Sequence, residues 1–290
     1  MTQQRTILAL AIVGAFALPL AADAQQEHSH ETPTPPRVSW SFAGPFGHYD
    51  QAQLQRGFKV YREVCSNCHS LSLLHFRNLA DPGGLGYSEA QAKTIAAEYK
   101  IKDGPNDQGE MFERPGRLAD AFPKPFENDA AAKAVTGGAL PPDMSVLAKA
   151  RGYERGFPLF IFDIFTQYNE EGPDYIAALI QGYREKPADM KIPENAHYNI
   201  YFPGQMIGMP PPLQNGQVTY DDGSPATVAQ YAQDVAAFLM WAAEPHLDAR
   251  KRIGFQVMVF LIIFAGLLYF TKKKIWKEVE LHPEMLEKKS

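Results

Sequence analysis

The sequence predicts a mainly α-helical domain with long ordered loops, anchored by a single C-terminal transmembrane helix. Three observations carry this. Apolar residues recur at helical spacing after Asp50 and again over residues 226–243; the stretch "IGFQVMVFLIIFAGLLYF", residues 253–270, contains no charge; and the intervening regions are rich in proline and glycine with no strand-rich segment. With 45% apolar and 12% aromatic residues in 290, the chain has ample material for a packed core.

The N-terminus, "MTQQRTILALAIVGAFALPLAADAQQ", carries an early Arg5, a short apolar run over residues 7–18, Pro19, and small residues at Ala22 and Ala24. That is the order of a secretory signal, so residues 1–24 are expected to be removed and the remainder exported. The polar, proline-rich start of residues 25–48 reads as a mobile leader followed by an N-terminal arm. Residues 49–245 then form the exported domain, 253–270 the span, and 271–290 a cytoplasmic tail. Eighteen residues at about 1.5 Å rise cover about 27 Å, close to the hydrocarbon thickness of a bilayer. Basic residues flank both ends, so the signal and not the charge sets the orientation. Between Gln25 and Pro245 there are 27 Asp and Glu against 18 Lys and Arg. An acidic exported domain argues against nucleic acid as a partner and permits steering of a basic protein.

Asp50 can cap a helix in which Leu54, Phe58 and Tyr61 recur at i, i+4 and i+7. A second helix fits residues 87–100 with Ser88 as its cap. "DGPNDQGEMFERPGRLADAFPKPF" reads as ordered loop, and short helices fit residues 144–150, 158–168 and 174–183. "YFPGQMIGMPPPL" suits neither helix nor regular strand, because its prolines lack donors and fix the backbone. Residues 226–243 place Val228, Tyr231, Val235, Phe238, Leu239 and Ala242 on one helical face, and this helix leads almost directly into the span.

The chain's two cysteines lie in "VYREVCSNCHS", three residues apart, with a histidine after the second. Zinc would need a fourth ligand from a further cluster, and His75 and His197 are isolated in sequence. Thiol redox chemistry wants the pair at the start of a helix, where the dipole lowers the thiol pKa, yet here the pair ends one. A disulfide between such near neighbours is geometrically disfavoured and leaves His69 unexplained. Covalent haem attachment uses all three residues, with Cys65 and Cys68 as thioether links and His69 beneath the iron.

A sixth ligand decides between electron transfer and small-molecule chemistry, and a methionine sulfur would close the iron and raise its potential. Met111, Met144, Met190, Met206, Met209 and Met240 are candidates, with His75 and His197. Met144 and Met240 read better as core packing. Met206 and Met209 share the proline-rigid loop, and the physics of that loop does not separate them.

"RGFKVYREVCSNCHS", "DGPNDQGEMFERPGRLADAFPKPF", "GALPPDMSVLAKAR", "YFPGQMIGMPPPL" and "DDGSPATVAQYAQDVAAFLMWAAEP", in this order and followed by a basic step into a span, resemble the cytochrome c1 family, the haem subunits of cytochrome bc1 complexes. The resemblance implies a class I cytochrome c-like haem domain with one covalent haem c. It assigns Cys65 and Cys68 to the thioethers, His69 to the proximal position, and Met209, directly before the prolines, to the distal one. It also implies that Arg151 pairs with a haem propionate, that Tyr175 hydrogen-bonds a propionate, and that Pro141 and Pro142 pack on the haem. Met206 departs from the family loop, where that position is often small. The implied activity is that of an electron-carrier subunit of quinol–cytochrome c reductase. Its implied partners are cytochrome b around the span, a Rieske iron–sulfur protein as donor and a soluble c-type cytochrome as acceptor, in a dimeric complex. The implied site is a bacterial inner membrane, with the haem domain in the periplasm.

Overall fold

The computed structural model describes residues 32–153, 156–166 and 168–281. The expected signal segment, the first part of the leader and the end of the tail lie outside them. Along the chain run α1 (Gln51–Glu63), α2 (Glu89–Ala97), β1 (Lys100–Asp103), β2 (Phe112–Pro115), α3 (Asp129–Val135), α4 (Leu147–Ala150), α5 (Leu159–Thr166), α6 (Glu171–Gln181), β3 (His197–Tyr198), β4 (Met206–Ile207), α7 (Val228–Ala243) and α8 (Leu247–Leu281).

The framework is α1 packed across α7, with α6 also packed on α7. Asp50 caps α1 by accepting from the Ala52 amide at 2.9 Å, and the expected stripe of Leu54, Phe58 and Tyr61 is buried. On α7, Tyr231, Val235, Phe238 and Leu239 are buried, while Val228 and Ala242 are partly covered. The helices cross at Gly57, where a Cβ would lie 2.0 Å from the Asp234 carbonyl oxygen, so no larger residue fits. Beside this crossing Arg56 Nε lies 3.0 Å from Asp234 Oδ2 on a fully buried carboxylate. Removing the arginine would strand that charge, at a cost of about 3–5 kcal/mol. Phe58, Tyr61, Phe76, Phe122 and Phe238 interlock around the junction, with the Phe76 and Phe122 ring centroids 4.4 Å apart.

Several elements differ from the sequence expectation. The region read as loop after Lys100 contains the antiparallel pair β1–β2, with Ile101 opposite Arg114. Its side chains are mostly exposed and charged, so hydrophobic alternation could not announce it; Arg114, bonded to Asp103 and Asp120, holds it in place. Short α3 was not expected either. Met144 precedes α4 rather than lying in it, held by its amide to the Ser70 carbonyl at 2.8 Å. Helix α6 starts at Glu171, three residues early, because Pro173 is tolerated in a first turn. Within "YFPGQMIGMPPPL", Met206 and Ile207 do form a two-residue strand against β3, ahead of the prolines.

The N-terminal arm enters the core before residue 49. Trp40 and Phe42 are buried, and Trp40 Nε1 donates to Asp174 Oδ1 at 2.8 Å on α6. Helix α7 ends at Ala243, and three residues later α8 begins, long and apolar enough to cross a membrane.

Candidate haem site

Helix α1 gives way to a tighter 3-10 turn at Cys65–Asn67. The turn is closed by the amides of Cys68 and His69, both donating to the Cys65 carbonyl at 3.1 and 2.8 Å. One helical turn therefore spaces the two thiols and tips the next residue inward: Cys68 is exposed, Cys65 half-buried and His69 buried. Desolvation, reinforced by the neighbouring Cys68, pushes the Cys65 thiol up to about 12, which opposes thiolate redox chemistry at neutral pH.

His69 is fixed at both ends. Tyr61 on α1 donates its hydroxyl to the His69 carbonyl at 3.1 Å, and the imidazole Nδ1 lies 2.9 Å from the Pro142 carbonyl oxygen. A carbonyl can only accept, so Nδ1 carries the proton and Nε2 is left as a bare lone pair. Burial lowers the His69 pKa, against the opposing influence of the Pro142 bond and the Asp143 charge. The ring is thus held neutral, as a metal ligand must be.

Asp143 secures the segment that supplies this carbonyl. It accepts from Ser70 Oγ at 2.7 Å, from the Ser72 amide at 2.9 Å and from the Ser145 amide at 2.8 Å. Although desolvation works the other way, hydrogen bonds from Ser145, Ser72 and Ser70 hold its carboxyl well below the usual range. Residues 143–145 are in this way clipped to residues 70–73.

The methionine loop is built on the other side. β3 and β4 pair His197 with Ile207 and Tyr198 with Met206. Asn199 is buried, donates from Nδ2 to the Leu179 carbonyl at 2.7 Å, and its amide reaches the Gln205 carbonyl at 3.0 Å. Strand alternation buries Ile207 and leaves Met206 exposed, whereas Met209 is half-buried. Tyr183 Oη donates to the Met209 carbonyl at 3.0 Å. A Cβ on Gly208 would come within 2.9 Å of Ala139 Cβ, so this loop sits directly against the start of the segment that holds His69. From Ala139 to Pro142 is three residues, about 10 Å at full extension. The same short stretch touches the histidine side at one end and the methionine side at the other.

Other expected residues fall into place less evenly. Pro141 is half-buried, and Pro142 enters through its carbonyl bond to His69. Arg151 caps the end of α4 and is exposed. Tyr175 is buried on α6, where desolvation raises its hydroxyl pKa against the opposing influence of the Arg151 charge. Among the described residues the Tyr175 hydroxyl makes no hydrogen bond. Met144 and Met240 are core residues, and Met111 is exposed. Tyr61, Asp143 and Tyr183 escaped the sequence reading as site residues. Asp143 is the one with a visible signal, an acid placed inside the apolar run "ALPPDM".

Among the described residues no group of three His, Cys, Asp or Glu is placed to hold a bare metal ion. The donor set is two thiols and one neutral imidazole, which fits a thioether-bound haem. A family model described as the Cytochrome C1 family matches residues 40–279. The chain belongs to that family. It is 50% identical over 278 residues to the "Cytochrome c1" of Blastochloris viridis, covering 95% of this chain and 97% of that one. It is 47% identical over 245 residues to the "Cytochrome c1" of Rhodospirillum rubrum, covering 84% and 88%. A "Cytochrome b/c1" of Bradyrhizobium diazoefficiens is 62% identical over 272 residues, 93% of this chain but only 40% of that relative's length. Members of the family carry a covalently attached haem c and serve as the electron-transfer subunit of a bc1 oxidoreductase complex. The chain is such a subunit, mainly helical, with haem c as its cofactor and one C-terminal helix suited to a single membrane pass.

Proposed function

We propose that Cys65 and Cys68 form the thioether links, His69 ligates the iron through Nε2, and Met209 closes the opposite face. The observation that carries this reading is the Nδ1–Pro142 bond of 2.9 Å, which leaves one nitrogen for a metal, on a segment whose far end abuts Gly208 next to Met209. Met209 is favoured over Met206 because β4 turns Met206 to solvent and because Tyr183 holds the Met209 backbone. Arg151, at the end of α4, and Tyr175, on α6, are proposed to hold a propionate, the Tyr175 hydroxyl donating to it. Pro141 and Pro142 are proposed to pack on the haem face.

When bound, the haem supplies a one-electron Fe(III)/Fe(II) couple. The residues of the chain supply the rest: a neutral, aimed imidazole, a soft sulfur, and the packed frame that holds them. In this reading the domain takes single electrons from a Rieske iron–sulfur protein and passes them to a soluble c-type cytochrome. It works beside cytochrome b in a dimeric complex, with the domain of residues 49–245 in the periplasm and the tail from residue 271 in the cytoplasm. The double name of the "Cytochrome b/c1" relative supports the pairing with cytochrome b. The acidic surplus of the exported part supports a basic acceptor.

The competing reading is a haem enzyme or gas sensor with an open iron position. Stopped-flow mixing of the reduced holoprotein with carbon monoxide separates the two. Slow, incomplete binding is the expected result, and rapid stoichiometric binding would reject the closed electron carrier.

A further inference from the structure

The foot of the domain carries apolar side chains that the electron-transfer reading does not use. The loop over residues 41–48 is closed by the Ala43 amide to the Trp40 carbonyl at 3.2 Å and the His48 amide to the Ser41 carbonyl at 3.1 Å. Its base is fixed by the buried Trp40 and Phe42, whose rings stack at 5.3 Å. Lys251 Nζ on α8 clamps it from below, donating to the Phe42 and Gly47 carbonyls. Phe46 is thrown outward from this rigid base, 75% exposed, with its ring 5.7 Å from that of Phe255 on α8.

Phe255 lies two residues, about 3 Å, beyond Ile253, where the uncharged stretch of α8 begins. A ring in contact with Phe255 therefore shares its depth whenever α8 spans a bilayer. Helix α5 borders the same loop. A surface cleft between them is lined by Ala43, Gly44, Leu159 and Phe162 together with the charged Arg37, Asp163 and Glu170. On α5, Phe162 is 59% exposed, and Leu159 and Ile161 are exposed as well. Apolar side chains grouped at the entry of a span match the interfacial layer, where such groups bury about 5–10 Å deep.

We propose that the tip of the loop at Phe46 and the exposed face of α5 form a second membrane contact, immersed in the head-group and upper acyl region of the bilayer at the foot of α8. The occupant is lipid, because Phe46 packs on Phe255 inside the uncharged stretch of α8, at a depth that the span places in the bilayer. Two points of attachment, one spanning and one interfacial, fix the tilt of the haem domain relative to the bilayer. The inference rests on α8 crossing the bilayer and is independent of the haem ligands.

The test uses the full-length holoprotein, whose native cysteines are consumed by the haem, in nanodiscs of phosphatidylcholine and phosphatidylglycerol. Nitroxide labels are placed on Phe46→Cys and Phe162→Cys, with Ile262→Cys as a mid-span reference and Val135→Cys as an aqueous one, each variant checked for an unchanged haem spectrum. Electron paramagnetic resonance then compares collision with oxygen, which partitions into lipid, against a water-soluble nickel complex. Labels at 46 and 162 should favour oxygen as the one at 262 does, and the label at 135 should favour nickel. Nickel preference at 46 and 162 with oxygen preference at 262 would overturn the inference and leave the span intact. Nickel preference at 262 as well would overturn the span along with it. Nickel access at 46 and 162 in discs of this chain alone, with shielding from both reagents only in the assembled complex, would assign the patch to a protein partner and also overturn the inference.

Discussion

The histidine side and the methionine side of the site are held by different means. His69 follows directly from a core helix: α1 is packed on α7 through Gly57, Tyr61 pins the histidine backbone, and Asp143 joins its segment to the histidine side with two hydrogen bonds. Met209 sits in a loop whose regular structure is two residue pairs long, and Tyr183 holds its backbone by one bond. The first side is set by the fold's central packing, the second by local loop chemistry. Perturbing the histidine side should accordingly change whether the cofactor is held at all, and perturbing the methionine side should change how its iron behaves.

The largest expected effect comes from Cys65→Ala with Cys68→Ala, which removes both proposed covalent links. Haem staining after denaturing electrophoresis should be lost completely, while substitutions in the methionine loop leave it intact. Loss of staining on changing the loop would erase the distinction between the two sides.

Asp143→Asn keeps the shape of the clip and removes its charge. Hydrogen bonds to a charged group are each worth about 1.5–3 kcal/mol, so the variant should unfold that much more easily in denaturant at pH 7. The sign of the pH dependence follows from the depressed carboxyl pKa of Asp143. Its contribution is fully present above the unfolded carboxylate value of about 3.9 and is lost as pH falls through the lower folded value. The gap between wild type and variant should therefore be constant from pH 5 to pH 8 and close in stronger acid. A gap that widened on acidification would contradict the clip.

A smaller effect is expected at the join between the sides. Gly208→Ala puts a methyl group 2.9 Å from Ala139 Cβ and must push the methionine loop outward. Overpacking of this kind costs about 1–3 kcal/mol. Thermal unfolding should shift down modestly, and the midpoint potential should drop as the sulfur is held less firmly, with haem content unchanged. An unaltered potential would mean that the contact does not position the loop.

The same contrast governs what could be read from the sequence. The histidine motif was conspicuous because its chemistry is local: Cys65, Cys68 and His69 fall within five residues at the end of a periodic helix, which leaves few alternatives. The capping aspartate, the apolar stripe of α1, the buried face of α7 and the span were legible for the same reason, since each is a local pattern. From the residues alone the prolines narrowed the methionine side to Met206 or Met209, and the family resemblance pointed to Met209; the strand alternation in β4 that favours it in the fold is something two residues cannot reveal. The clip at Asp143 joins residues some seventy positions apart, and nothing local marks its partners. The hairpin β1–β2 was hidden by its exposed, charged side chains. The early entry of the arm into the core depends on Trp40 reaching Asp174 on a distant helix.

The central claim is that His69 and Met209 close the two faces of one haem. It is tested most directly by the near-infrared absorption of the oxidised holoprotein, where a weak sulfur-to-iron charge-transfer band reports a methionine ligand, recorded for wild type, Met209→Leu and Met206→Leu side by side. The band is expected in wild type and in Met206→Leu and should vanish in Met209→Leu; a band that survives in Met209→Leu, or is lost in Met206→Leu, would contradict the account.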